Sequence, residues 1–173
     1  MAKVVSTYAL DMDTIDFYNN LYVPSYNYAN TFGVSSWYAQ NNVHRTIGNY
    51  SYEDLLSVNL LFPNNVTATA VLGGKNFNYI EDYYGNLTGV ISGQLTGYLE
   101  YDYNGIGAWG IEDLNNTYVS APAFFDAANT RKTADDRKII EDALVGNDKF
   151  ELSSGNDVVY GYSGDDEFYT NYG

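Results

Sequence analysis

The spacing of apolar and polar residues changes several times along this chain, and each change marks an element. Residues 1–10 set Val4, Val5, Tyr8 and Leu10 in a β-branched and aromatic context, which predicts a first strand. Asp13 or Thr14 then caps a short helix carrying Ile15, Phe17, Tyr18, Leu21 and Tyr22, and Pro24 ends it. From Tyr26 to Tyr50 the sequence is aromatic, polar and without period, as expected of a long loop or irregular segment. Ser51-Tyr52-Glu53-Asp54 has a serine followed by acids, which predicts the start of another short helix.

Strand patterns follow. Val66 to Leu72 alternates and should stop at Gly73-Gly74, and Asn76 to Ile80 reads as the next strand. Gly85-Asn86 turns into a long stretch, Leu87 to Tyr103, with Gly89, Gly93 and Gly97 at every fourth place. Glycines so spaced suit a bent or bulged strand pair better than one flat strand. Ile106 to Ile111 makes one more strand. Two helices close the pattern. Ser120 caps the first, with Pro122 near its start and Phe124, Phe125, Ala127 and Ala128 along it. Thr133-Ala134-Asp135-Asp136 resembles a capping box for the second, whose apolar stripe is Ile139, Ile140, Ala143 and Leu144. The expected fold class is α+β: an antiparallel sheet with a few short helices over 1–145, then a different segment over 146–173.

That last segment is periodic. Gly146, Gly155, Gly164 and Gly173 fall nine residues apart. The triplets Gly146-Asn147-Asp148, Gly155-Asn156-Asp157 and Gly164-Asp165-Asp166 are each followed by a short triad centred on an apolar residue, Phe150, Val159 or Phe168. A nonapeptide period of glycine, aspartate and one large apolar residue points to a stacked parallel β-roll loaded with calcium. Glycine admits the positive φ of the turn, and alternation sends the middle residue of each triad inward. The aspartates face the gap between turns, where calcium accepts six to eight oxygen ligands from carboxylates and backbone carbonyls. Gly146, Asn147, Asp148, Gly155, Asn156, Asp157, Gly164, Asp165 and Asp166 are therefore the candidate metal residues.

In these residues the segment resembles the RTX family of secreted bacterial proteins, in a degenerate form: Gly161 fills the leading glycine place, while Ser154 and Tyr162 stand where a glycine or another small residue is common. The resemblance implies two nonapeptides per coil and ions between turns two repeats apart. Asp148 and Asp166 would then share one edge, with Asp157 on the other edge and without a partner. An array this short holds about one complete site, and it would be completed by a longer chain, by docking or by self-association. The stretch from Val66 to Asp166 is also similar to a module that precedes nonapeptide arrays in secreted proteins, through Gly74-Lys75-Asn76-Phe77-Asn78-Tyr79, Gly85-Asn86-Leu87-Thr88-Gly89, Phe125-Asp126-Ala127-Ala128 and Thr133-Ala134-Asp135-Asp136.

Composition sharpens this. Net charge is −14, from 22 acidic and 8 basic residues, so no basic patch is expected for nucleic acid. Six of the acids lie in the final 28 positions beside one base, Lys149, and such a segment is expected to order on binding metal. Cysteine is absent, no apolar run is long enough to span a bilayer, and the N-terminus lacks the apolar core of a secretory signal. With the RTX resemblance, that implies type I export and an extracellular place of work, at a cell surface or in a matrix. The 19 tyrosines fit either an ordinary β-rich surface or an adhesive, self-associating face.

Catalytic patterns are missing. One histidine, His44, cannot supply an HExxH or three-histidine zinc site. Neither a G-x-S-x-G elbow nor a phosphate loop occurs, and Asp11 to Asp16 lacks the glycine and distal glutamate of an EF-hand loop. The expectation is a non-enzymatic structural or adhesive protein. The alternative is haem scavenging. Tyr28 to Gly33, Asn41 to Arg45 and Gly73 to Tyr79 resemble segments of the secreted hemophores, and the resemblance implies haem held by His44 and a tyrosine such as Tyr79.

Overall fold

The computed structural model describes residues 1–17, 36–47, 50–62, 66–85, 87–102, 104–114 and 117–171. The helix expected from Ile15 to Tyr22 lies mostly outside these residues, as does the hemophore-like stretch from Tyr28 to Gly33. The strands are β1 (Lys3–Ser6), β2 (Ser36–Gln40), β3 (Arg45–Ile47), β4 (Tyr50–Tyr52), β5 (Asp54–Phe62), β6 (Val66–Glu81), β7 (Leu87–Tyr101), β8 (Gly107–Glu112), β9 (Val119–Ser120), β10 (Lys149–Glu151) and β11 (Glu167–Tyr169). Among the described residues two α-helices, α1 (Ala121–Ala127) and α2 (Thr133–Ala143), join them, and Met12–Thr14 forms a 3-10 turn. The fold is thus α+β and rich in sheet. Among the described residues no helix is long and apolar enough to cross a membrane.

One sheet of nine strands runs in the order β11-β10-β1-β8-β7-β6-β5-β2, with β9 pairing β7 off that path. Pairing is antiparallel from β1 through β8 to β2. It is parallel between β1 and β10 and between β10 and β11. The sheet therefore carries the chain's two ends side by side. On one face Val4, Leu56, Val58, Leu72, Tyr98 and Ile111 join Ile139, Ile140 and Leu144 of the α2 region in a single buried cluster. Phe17, Tyr98 and Phe124 meet there with ring centroids 4.6–5.6 Å apart, in the tilted and edge-on arrangements that aromatic rings favour.

Several local expectations gave way to tertiary contacts. Ser51 to Asp54 is no helix start: it belongs to β4 and β5. Leu56 and Val58 alternate into the core. The buried Asp54 carboxylate accepts hydrogen bonds from the Asn42 N–H at 2.9 Å and the Phe77 N–H at 2.8 Å, so it ties the bend after β2 to strand β6 and caps no helix. The segment from Tyr26 to Tyr50 contains β2 and β3, which its lack of period had hidden.

Gly73-Gly74 is a bulge inside the single long strand β6, because both glycines are covered by aromatic rings. A Cβ at Gly73 or Gly97 would strike Tyr52, and one at Gly74 or Gly93 would strike Phe77. These rings take the place of side chains the glycines lack, and the paired strands β6 and β7 bend there through repeated register shifts. Ser120 does cap α1, accepting the Ala123 N–H at 3.3 Å. Thr133 does not cap α2. Lys132 holds that place without a side-chain bond, and Thr130 Oγ1 instead donates to Asp135 Oδ2 at 2.6 Å.

Candidate metal centre

Of the three triads, the first and third pair in parallel at the edge of the main sheet. In register, Lys149, Phe150 and Glu151 lie beside Glu167, Phe168 and Tyr169, an offset of two nonapeptides. Phe150 is fully buried and stacks on Phe168, centroids 4.5 Å apart and planes 14° from parallel. Val159 is half-buried against the core, and Phe168 is 49 % exposed on its outer side. The turns stack as the triads do. The Gly146 N–H donates to the Ser163 carbonyl at 2.8 Å, and the Asp165 N–H to Asn147 Oδ1 at 3.0 Å. Gly146 and Gly164 have φ of 110° and 129°, a region that L side chains rarely enter. A Cβ at Gly164 would also run into the Gly146 carbonyl, and one at Gly161 into the Asp166 carboxylate. These glycines let successive turns touch.

Asp148 and Asp166 meet at this place. The Asp148 N–H donates to Asp166 Oδ1 at 2.9 Å, and the Glu167 N–H to the Asp148 carbonyl at 2.8 Å. Asp148 itself is 1 % exposed. Its Oδ1 accepts the Ala2 N–H at 2.6 Å, while Oδ2 is buried without a hydrogen-bond partner. Burial pushes the Asp148 carboxyl above the ordinary carboxylate range and the Asp166 charge pushes it further, against the pull of the Ala2 N–H and the chain's own ammonium. A buried carboxylate with one bare oxygen and a like-charged neighbour is costly unless a cation neutralises it. The Asp148 and Asp166 carboxylates are hard oxygen ligands of the kind calcium takes, while Asn147 and Asp165 are exposed and, among the described residues, no group of three or more acidic or histidine side chains comes together.

Asp157 stands apart from that pair but does not lack partners. Its Oδ1 accepts the Leu10 N–H at 2.7 Å, and Ser153 Oγ lies 3.2 and 3.0 Å from its two oxygens. Ser153 Oγ also accepts the Gly155 N–H at 2.9 Å, while Asn156 is exposed. Ala2, Leu10 and Ser153 escaped the sequence reading. Only Ser153 lies close enough to the repeats to have been found from their spacing. His44 is exposed in the turn before β3, with φ of 44° and its N–H on the Glu53 carbonyl at 3.3 Å. Tyr79 is half-buried in β6 against the core. Among the described residues no hydrogen bond joins these two. A cavity of about 490 Å³, lined by Arg45, Leu55, Val71, Tyr101 and Asp102 among others, opens at the sheet beside β3 and includes none of the repeat residues.

Set against known protein families, curated proteins and solved structures, the chain matches none of them.

Proposed function

We propose that this chain is a secreted, non-enzymatic, calcium-binding protein of structural or adhesive function, and that its terminal nonapeptides hold calcium between the turns at residues 146–148 and 164–166. One observation carries the reading: the bare, buried Oδ2 of Asp148, next to a second carboxylate that sits on the Asp148 backbone. A cation there removes the like-charge repulsion, fills the missing contact and ties two levels of the stack together. Affinity of the extracellular class, with dissociation constants of about 10⁻⁴–10⁻³ M, would load the site outside a cell and leave it empty within one. The adhesive part of the reading rests on tyrosines turned to solvent, among them Tyr83, Tyr84 and Tyr118, which are 94 %, 84 % and 72 % exposed. Tyrosine supplies contact area and a hydrogen-bonding tip together, which suits it to interfaces.

Circular dichroism and melting in chelator and in millimolar calcium test the reading. Calcium should raise ordered β content and the melting temperature, and Asp148→Ala combined with Asp166→Ala should abolish both gains. Identical spectra and melting in the two media would overturn it.

A further inference from the structure

We propose that residues Ala2–Met12, at the opposite end of the chain, act as the template level on which the terminal repeats stack, and that this segment aims the repeat carboxylates; the part concerning metal rests on the calcium reading above. Register supports this first. Lys3, Val4 and Val5 lie parallel to Lys149, Phe150 and Glu151, which lie parallel to Glu167, Phe168 and Tyr169. Val4, Phe150 and Phe168 thus form one column of three levels. On the other flank Asp11 makes a parallel bridge with Val158. There the Val158 N–H donates to the Leu10 carbonyl at 2.7 Å, and the Met12 N–H to the Val158 carbonyl at 2.9 Å.

The aspartates give the stronger argument. Within the repeats, Asp166 accepts the N–H of Asp148, its equivalent one level before. By the same registers Ala2 is the equivalent of Asp148, and Leu10 of Asp157. Asp148 accepts the Ala2 N–H, and Asp157 accepts the Leu10 N–H. One rule therefore covers all three: each repeat aspartate takes the N–H of the matching residue in the preceding level. The N-terminal segment obeys it without containing a repeat, since eight residues separate Ala2 from Leu10 where nine separate Asp148 from Asp157. The fit is close. A Cβ on Gly155 would come within 2.9 Å of the Ala9 Cβ, and Lys3 Nζ reaches Glu151 Oε2 at 2.7 Å.

The arrangement supplies what the repeats lack. Strands of three residues in parallel pairing bury too little to form alone, and about three repeats are needed before a solenoid is stable. Ala2, Val4, Leu10 and Met12 are all at most 5 % exposed, so the main domain anchors the template from behind. Two half-formed levels then become a three-level stack. Asp148 and Asp157 are oriented before any ion arrives, which lowers the ordering cost of binding.

Amide hydrogen exchange on the full chain tests this, first in chelator and then across a calcium titration. Ala2→Pro removes the N–H that bonds the Asp148 carboxylate. It should cut protection at Lys149 and Glu167, whose N–H groups bond the preceding levels, by about tenfold or more, the effect of losing a hydrogen bond to a charged group. Protection at Leu72 and Leu99 should hold, and the calcium midpoint should rise by about tenfold. Ala9→Val changes an exposed residue and leaves every hydrogen bond in place, but it presses on Gly155. It should lower protection at Met12 and Val158 alone, the two N–H groups that bond across this flank. If Ala2→Pro also exposes Leu72 and Leu99, Ala9→Val decides the matter. Repeat protection equal to the parent's in Ala9→Val, or in an intact Ala2→Pro, overturns the template. A parent protein that ignores calcium overturns the calcium reading, while the chelator exchange still decides the template.

Discussion

Replacing Asp148 by asparagine separates the cost of its charge from the benefit. Without metal, the parent holds a carboxylate that is 1 % exposed, has one oxygen without a partner and lies beside Asp166. An unpaired buried polar atom costs roughly 1–3 kcal/mol, and a charged one more. Asparagine keeps Oδ1 for the Ala2 N–H and removes the charge, so Asp148→Asn should stabilise the calcium-free protein by about 1–2 kcal/mol. Calcium reverses the comparison. At about a hundred times its dissociation constant, an ion bound only to the folded state adds about 2.7 kcal/mol, and the variant forgoes it. At about 2–4 °C per kcal/mol for a chain of this size, Asp148→Asn should melt about 2–8 °C above the parent in chelator. The parent alone should then gain about 5–11 °C in calcium. Scanning calorimetry of both proteins in both media reads the pattern directly. A variant that melts below the parent in chelator, or that keeps the parent's calcium gain, would refute the reasoning.

Two further outcomes follow from buried acids elsewhere. Burial, with the charges of Asp135 and Asp16, raises the Asp136 carboxyl from its ordinary value to about 7 against the pull of the Phe17 N–H. A raised folded value makes its contribution complete below about pH 4 and lost as pH climbs through 7, a swing of up to about 4 kcal/mol. Urea midpoints of the parent should therefore fall between pH 5 and pH 8, and Asp136→Asn should flatten that fall; an equal fall in both proteins would contradict this. Asp54→Ala leaves the N–H groups of Asn42 and Phe77 without their acceptor and should cost about 2–4 kcal/mol in the same assay. A loss below about 0.5 kcal/mol, the range of ordinary surface changes, would show that neither bond matters to the fold.

What the sequence disclosed depended on how local the cause was. Ser120 signalled its cap because donor and acceptor lie three residues apart, and the stripe on α2 follows from helical period alone. The spacing of Gly89, Gly93 and Gly97 foretold the irregular pairing of β7 with β6, yet neither that Leu87–Tyr101 is one continuous strand nor the rings of Phe77 and Tyr52 that cover Gly93 and Gly97. Ser51 to Asp54 misled because a serine followed by acids looks the same whether the acid faces its own helix start or a strand 23 residues away. At the candidate site, the repeat spacing singled out Asp148, Asp157 and Asp166. Ala2 and Leu10 contribute only backbone N–H groups. Any residue but proline carries one of those, so no pattern in side chains could have pointed to them.

The place of β1 between β8 and β10 sets an order of events during biosynthesis. This strand leaves the ribosome well before either of its partners, which begin at Gly107 and Lys149. At about 5–20 residues per second, the 146 residues separating Lys3 from Lys149 take about 7–30 s to make. Until β8 emerges Val4 has neither flanking strand, and after that its second flank stays open until β10 is made. The β1–β10 pairing joins contacts of very long sequence separation, and such topologies assemble slowly. The sheet is consequently complete only after translation has passed β11 at residue 169, which leaves a window in which a chaperone or a transporter can engage the polypeptide while it is still unfolded.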